Sequence, residues 1–224
     1  MSPLETYARD SMDETPKWSV EMNVTNQNAT VTTEKNNESG SSRARQSAHI
    51  GPLVTLEGDP YIHETSYIFG KVFIGKGASV WPYVVMRSEA QEIRIGARTN
   101  VQDFVMVHVG SFTPTIVGED CSIAHHATLH GCTLGDRCLI GINATLMDGV
   151  KVGANSIVAG HSILTEGMEF PENSIIAGSP AKLVKVRDNS LPNLFNAKLY
   201  QLNAANYAKG IERFSAEDVA KLQA

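Results

Sequence analysis

From Ile62 to about Lys185 the chain repeats every six residues. Aliphatic side chains stand at Ile62, Ile68, Ile74 and Val80, at Ile95, Val101 and Val107, and at Val117, Ile123 and Leu129. They continue at Leu134, Ile140, Leu146, Val152, Val158 and Leu164. A helix would show a 3.6-residue period and a plain strand a period of two. A period of six, with a small residue four places on at Ala78, Ala127 and Ala144, predicts a parallel β-helix built of hexapeptides. Each hexapeptide makes one short strand and a corner. The aliphatic residue enters a narrow core and the small one lets the chain turn.

A longer period lies over the short one. The dipeptides Ile74-Gly75, Ile95-Gly96, Val117-Gly118, Leu134-Gly135 and Val152-Gly153 are spaced 21, 22, 17 and 18 residues apart. Three hexapeptides make one triangular coil, so the longer gaps predict outward loops near Ser88–Glu92 and Ser111–Pro114. Roughly seven coils fit, stacked about 4.8 Å apart like neighbouring strands.

The flanks differ from the repeat. Residues 190–224 are expected to form a helix against a flat face of the coil, with apolar positions at Leu194, Ala197, Leu199, Leu202 and Ala205. Ser215 followed by Asp218 carries a helix-start signal. Residues 1–48 are polar and rich in Asn, Thr and Ser, and read as a flexible extension, with one short alternation at Val20, Met22 and Val24. The three Asn-X-Ser/Thr matches there, at Asn23, Asn28 and Asn37, read as chance. Acid at Glu5, Asp10, Asp13 and Glu14 argues against a transit peptide, and no apolar stretch marks a secretory signal. The expected division is therefore an extension over 1–48, a β-helix over 49–189 and a helical tail over 190–224.

Composition narrows the function. A formal net charge of −5 gives no basic surface for nucleic acid. No apolar run is long enough to span a membrane. Three cysteines, Cys121, Cys132 and Cys138, form no Cys-X-X-Cys pair, which points to reduced thiols and a cytoplasmic setting.

Four of the seven histidines fall between Asp103 and Gly131. His108 lies 13 residues after Ile95, and His130 lies 13 after Val117. They therefore occupy the same place in successive coils, each following an inward aliphatic residue, and both point outward. Two imidazoles so stacked can share one ion at about 2.0–2.1 Å each. His125 lies 8 after Val117 and Asp103 lies 8 after Ile95, so these two stack in a second column. Across a corner the two columns are on the order of 15 Å apart. One chain cannot easily close a three-histidine site, but a threefold assembly can, with His108 and His130 of one subunit facing His125 of the next. Three neutral imidazoles leave a fourth coordination place open, the pattern of a catalytic zinc. Single surface histidines usually do nothing. His126 has no partner in the pattern and reads as a surface or supporting residue, and His161 as lining a coil face. His49 and His63 precede or open the repeat and read as ordinary. Arg87, 13 after Ile74, sits in the column of His108 and is placed to meet Asp103 of a neighbouring chain. Gln102, beside Asp103, is placed to hold a metal-activated water.

With these residues in view, the sequence resembles the γ-class carbonic anhydrases. The resemblance rests on Asn100-Val101-Gln102-Asp103, on His108, on Ala124-His125-His126-Ala127-Thr128-Leu129-His130-Gly131-Cys132 and on Gly178-Ser179-Pro180-Ala181-Lys182. It covers about residues 52–210. It implies a left-handed β-helix, a homotrimer and zinc, sometimes iron or cobalt, between subunits. It also implies His108, His125 and His130 as ligands, with Arg87, Gln102 and Asp103 around them, Asn100 behind them and Tyr207 nearby. Two features depart from that family. Arg87-Ser88-Glu89 stands where Arg-Gly-Asp is usual, and the loop from Gly110 to Pro114 carries no acid. The expected reaction is reversible hydration of carbon dioxide to bicarbonate, with Glu89 as a proton exit. Two alternatives stay open: a hexapeptide-repeat acyltransferase or acyl-CoA thioesterase, and a metal-binding scaffold that engages a partner through residues 1–48.

Overall fold

The inward residues form three ladders, one per face of a parallel β-solenoid. Backbone register pairs Ile68, Met86, Val107, Leu129, Leu146 and Leu164 along the first face. Ile74, Ile95, Val117, Leu134, Val152 and Phe170 line the second. Ile62, Val80, Val101, Ile123, Ile140, Val158 and Ile176 line the third. These are the positions of the six-residue period, and nearly all of them are fully buried. The small residues Ala78, Ala127 and Ala144 are buried at the corners, as the repeat requires. The computed structural model describes residues 49–218. The expected extension over 1–48, with its Val20–Val24 strand, lies outside the described residues.

Each coil turns through residues in left-handed backbone conformation. Tyr83, Phe104, His126, Asn143 and His161, with φ of 57–60°, mark one corner. Arg98, Asp120, Arg137, Asn155 and Asn173 mark the second, with φ of 52–64°. Asparagine adopts this conformation cheaply, whereas a bulky ring pays roughly 1–2 kcal/mol. At the first corner the rings recover part of that cost by stacking: Tyr83 on Phe104 at 5.0 Å and Phe104 on His126 at 4.8 Å, nearly parallel. His126, without a partner in the sequence pattern, belongs to this stack.

Two expectations change. The stretch 88–92 does not leave the sheet as a separate loop. The strand Val85–Ile95 runs through it unbroken, and the pairing jumps from Gly70↔Ser88 to Val72↔Ile93. The extra residues bulge from a continuous strand. The tail is also not one helix. The helix spans Ser190–Tyr207 and ends before Gly210, whose φ is +75°. It lies against the third face, as expected. Its buried positions, however, are Asn193, Ala197, Ala204 and Asn206, while Leu191 and Phe195 are exposed. Polar bonding does part of the docking, because Asn193 Nδ2 donates to the carbonyls of Arg137 and Ser156 at 2.8 and 3.1 Å. At Ser215 a capping box forms: the Asp218 N–H bonds to Ser215 Oγ, and Ser215 N–H and Oγ–H both bond to Asp218.

Candidate metal centre

The strands Val85–Ile95, Met106–His108 and Thr128–His130 are neighbours, and their register stacks Arg87 on His108 on His130. The count of 13 residues from each dipeptide is thus met in space. The two imidazoles tilt toward each other, with centroids 5.0 Å apart, and His108 Nδ1 lies 3.0 Å from His130 Nε2.

The far nitrogens explain this approach. His130 Nδ1 is 2.7 Å from Asp148 Oδ1, and His108 Nε2 is 2.9 Å from Glu89 Oε2. A carboxylate accepts, so each of these ring nitrogens carries the proton. The other two nitrogens then face each other at 3.0 Å, where they can share a proton as a hydrogen bond or turn both lone pairs to one cation. Two ligand nitrogens at 2.0–2.1 Å from one tetrahedral ion would themselves lie roughly 3.3 Å apart, so the donor pair fits a divalent metal.

Asp148 was not visible in the sequence pattern. It follows Met147, the residue in register with His130, and its Asp-Gly context reads as an ordinary turn. Its carboxylate reaches His130 because Gly131 turns with φ of +59° and has no side chain; a Cβ there would strike Asp148 Oδ1 and Thr113 Oγ1. Thr113 Oγ1–H also donates to Asp148 at 3.1 Å. The loop after His108, though without acid, therefore helps to hold one.

The second column is also as counted. Asn100 and Val101 pair with Ser122 and Ile123, which brings Asp103 beside His125. His125 Nδ1 is 3.0 Å from Asp103 Oδ2, so in the neutral ring Nε2 is the nitrogen that carries the lone pair. The structure does not bring His125 to the His108/His130 pair within one chain. Among the described residues, no three His, Cys, Asp or Glu side chains converge to hold an ion.

The remaining site residues fall around these columns. Gln102 is buried and donates its amide to Asn100 Oδ1 at 2.9 Å; Asn100 in turn donates to Ser122 Oγ at 2.9 Å and to the Cys121 carbonyl. This leaves the Gln102 carbonyl oxygen as the free end of that side chain. Within the chain Arg87 pairs with Glu89. Desolvation works to raise the Glu89 carboxyl, but hydrogen bonds from Arg87 and His108 outweigh it and hold it below its ordinary range. Tyr207 packs edge-on against Trp81 at 5.2 Å and shares a cavity with Asp103, on the His125 side of the molecule.

Residues 131–166 match the family model described as bacterial transferase hexapeptide (six repeats). Over 178 residues the chain is 34% identical to gamma carbonic anhydrase 2, mitochondrial, of Arabidopsis thaliana; the alignment covers 74% of this chain and 63% of that protein, less than two-thirds of its length. It is 35% identical over 156 residues to carnitine operon protein CaiE of Escherichia coli, covering 69% of this chain and 80% of the relative. Among solved structures, a hexapeptide transferase family protein from Anaplasma phagocytophilum is similar with a TM-score of 0.66 at 31% identity, covering 69% of this chain and 92% of that one.

Proposed function

Because the chain belongs to the γ-class carbonic anhydrase family of hexapeptide-repeat proteins, we propose that it catalyses reversible hydration of carbon dioxide to bicarbonate at metal sites shared between the subunits of a homotrimer. One observation carries the reading: three histidines each give one ring nitrogen to a carboxylate, Glu89, Asp148 or Asp103, and the remaining nitrogens of His108 and His130 meet at 3.0 Å. That is how metal-ligating imidazoles are oriented. His108 and His130 of one subunit and His125 of the next would hold zinc, or iron or cobalt in its place. Such an ion, when bound, would supply Lewis acidity and lower the pKa of a water toward neutrality. Gln102, its amide tied to Asn100, offers a carbonyl oxygen to orient the attacking water. Arg87 and Asp103 join neighbouring subunits beside the site, and Tyr207 lies on the Asp103 side. Glu89, half-exposed and bonded to His108, is the acid placed to carry a proton to solvent.

The test is metal analysis of the purified oligomer together with a carbon dioxide hydration assay. About one ion per chain is expected, with metal and activity both lost in His125→Ala. Metal far below one ion per chain, with His125→Ala changing nothing, would end the reading. The hexapeptide-transferase match keeps a second reading in view, acyl transfer from coenzyme A; saturable binding of acetyl-CoA to metal-free protein would favour it. Among the described residues no helix is long and apolar enough to cross a membrane. A cytoplasmic location is proposed, and fractionation tests it against the organelle in the Arabidopsis protein's name.

A further inference from the structure

Beside the helix, and apart from the His108/His130 pair, lies a cavity of about 420 Å³ between the end of the helix, the segment 211–214 and the corner at Trp81–Asp103. Asn206 faces it. This side chain is only 9% exposed, and its Nδ2 has no hydrogen-bond partner among the described residues. Native folds rarely bury an amide donor unpaired, and such a group calls for an acceptor. Other donors stand around the same space. Tyr200, Tyr207 and Arg213, which carry hydroxyl and guanidinium donors, are also among its lining residues. Burial and the nearby Asp103 push the Tyr200 phenol up, so it keeps its proton. Of the acids in the wall, Asp103 already has one oxygen engaged by His125, and Glu212 is exposed. Trp81 and Phe214 supply apolar wall.

We propose that this cavity binds a small carboxylate, whose oxygens accept from Arg213 and, with its amide turned into the space, from Asn206 Nδ2, while its body rests on Trp81. Two sources share that chemistry: bicarbonate, the product of the proposed reaction, and a small organic acid. The site needs no metal, so it stands or falls separately from the proposed hydration activity.

The test titrates the full-length oligomer, after chelation of any bound metal, with bicarbonate, acetate and benzoate, read by calorimetry and tryptophan fluorescence. Benzamide and benzylamine serve as neutral and cationic matches to benzoate. At least one carboxylate is expected to saturate with a roughly millimolar Kd, at least about tenfold tighter than benzamide. Asn206→Asp and Arg213→Ala should each weaken it about tenfold, with melting curves checking the fold; Arg213→Ala, at an exposed position, keeps the test open if the first variant unfolds. Saturation by bicarbonate alone identifies the product as ligand, and saturation by benzoate alone identifies an organic acid. No saturable carboxylate, binding indifferent to both variants, or tighter binding of benzylamine would overturn the proposal.

Discussion

The two histidine columns are built alike and end differently. In each, residues from successive coils stack in register and a carboxylate holds one ring nitrogen. In the first column the neighbouring coil offers a second imidazole, and His108 meets His130 at 3.0 Å. In the second, the coil on one side offers Asp103 and the coil on the other, by the pairing of Ile140 with Ile123, offers Ile142, whose side chain has no donor. One column thus holds two donors of a prospective site and the other holds one. A solenoid repeats side chains along a column but cannot fold one face onto another. Only rotation of a second subunit can join the halves.

The sharpest way to break this comparison is to separate the columns genetically. His108→Ala and His125→Ala should each abolish metal retention and hydration. Mixed after unfolding and reassembly, they should recover roughly a third of native activity in mixed trimers, because about one interface in three then pairs two intact halves. No recovery in mixed trimers, with either variant alone still active, would show that the columns work independently.

Gly131→Ala attacks the first column through its corner. A left-handed backbone costs alanine roughly 1–2 kcal/mol, and the methyl group would overlap Asp148 and Thr113. Together with overpacking, a loss of about 2–4 kcal/mol is expected in denaturant unfolding. The reverse substitution at another corner, Ala144→Gly, merely loosens a buried turn and should cost less.

Asp148→Asn keeps the shape and removes the charge behind His130. Metal affinity should fall about 10–100-fold by competition with a chromophoric chelator. Asp103→Asn should do the same from the other column, and unequal effects would show which half dominates binding.

The smallest effect at neutral pH concerns Cys132, next to Gly131, whose thiol burial pushes up to about 12. Below about pH 8 the thiol is protonated in both folded and unfolded chains and contributes no slope. Between about 9 and 12 only the unfolded chain ionises there, so stability should fall as pH rises across that window. Cys132→Ala should flatten the alkaline slope in pH-dependent melts.

Much of this was legible in the chain. The three ladders follow from the six-residue period, and counts of 13 and 8 placed His108, His130, Asp103 and His125 in register. Other features were not. Asp148 sits one residue beyond the counted position, and only a left-handed corner at Gly131 swings its carboxylate to His130. The helix showed leucines at helical spacing, yet it buries Asn193 and Ala197 because the flat third face offers it backbone carbonyls. The bulge at 89–92 looked like a loop because its length, not its hydrogen bonding, is what a spacing count detects.

The order of residues alone determined the coil, the columns and the histidines that stack, since a periodic backbone converts sequence distance directly into register. Tertiary structure alone decided which nitrogen each imidazole keeps free and which carboxylate holds the other. Those outcomes depend on corner dihedrals and side-chain reach over a few ångströms, quantities that no spacing along the chain encodes.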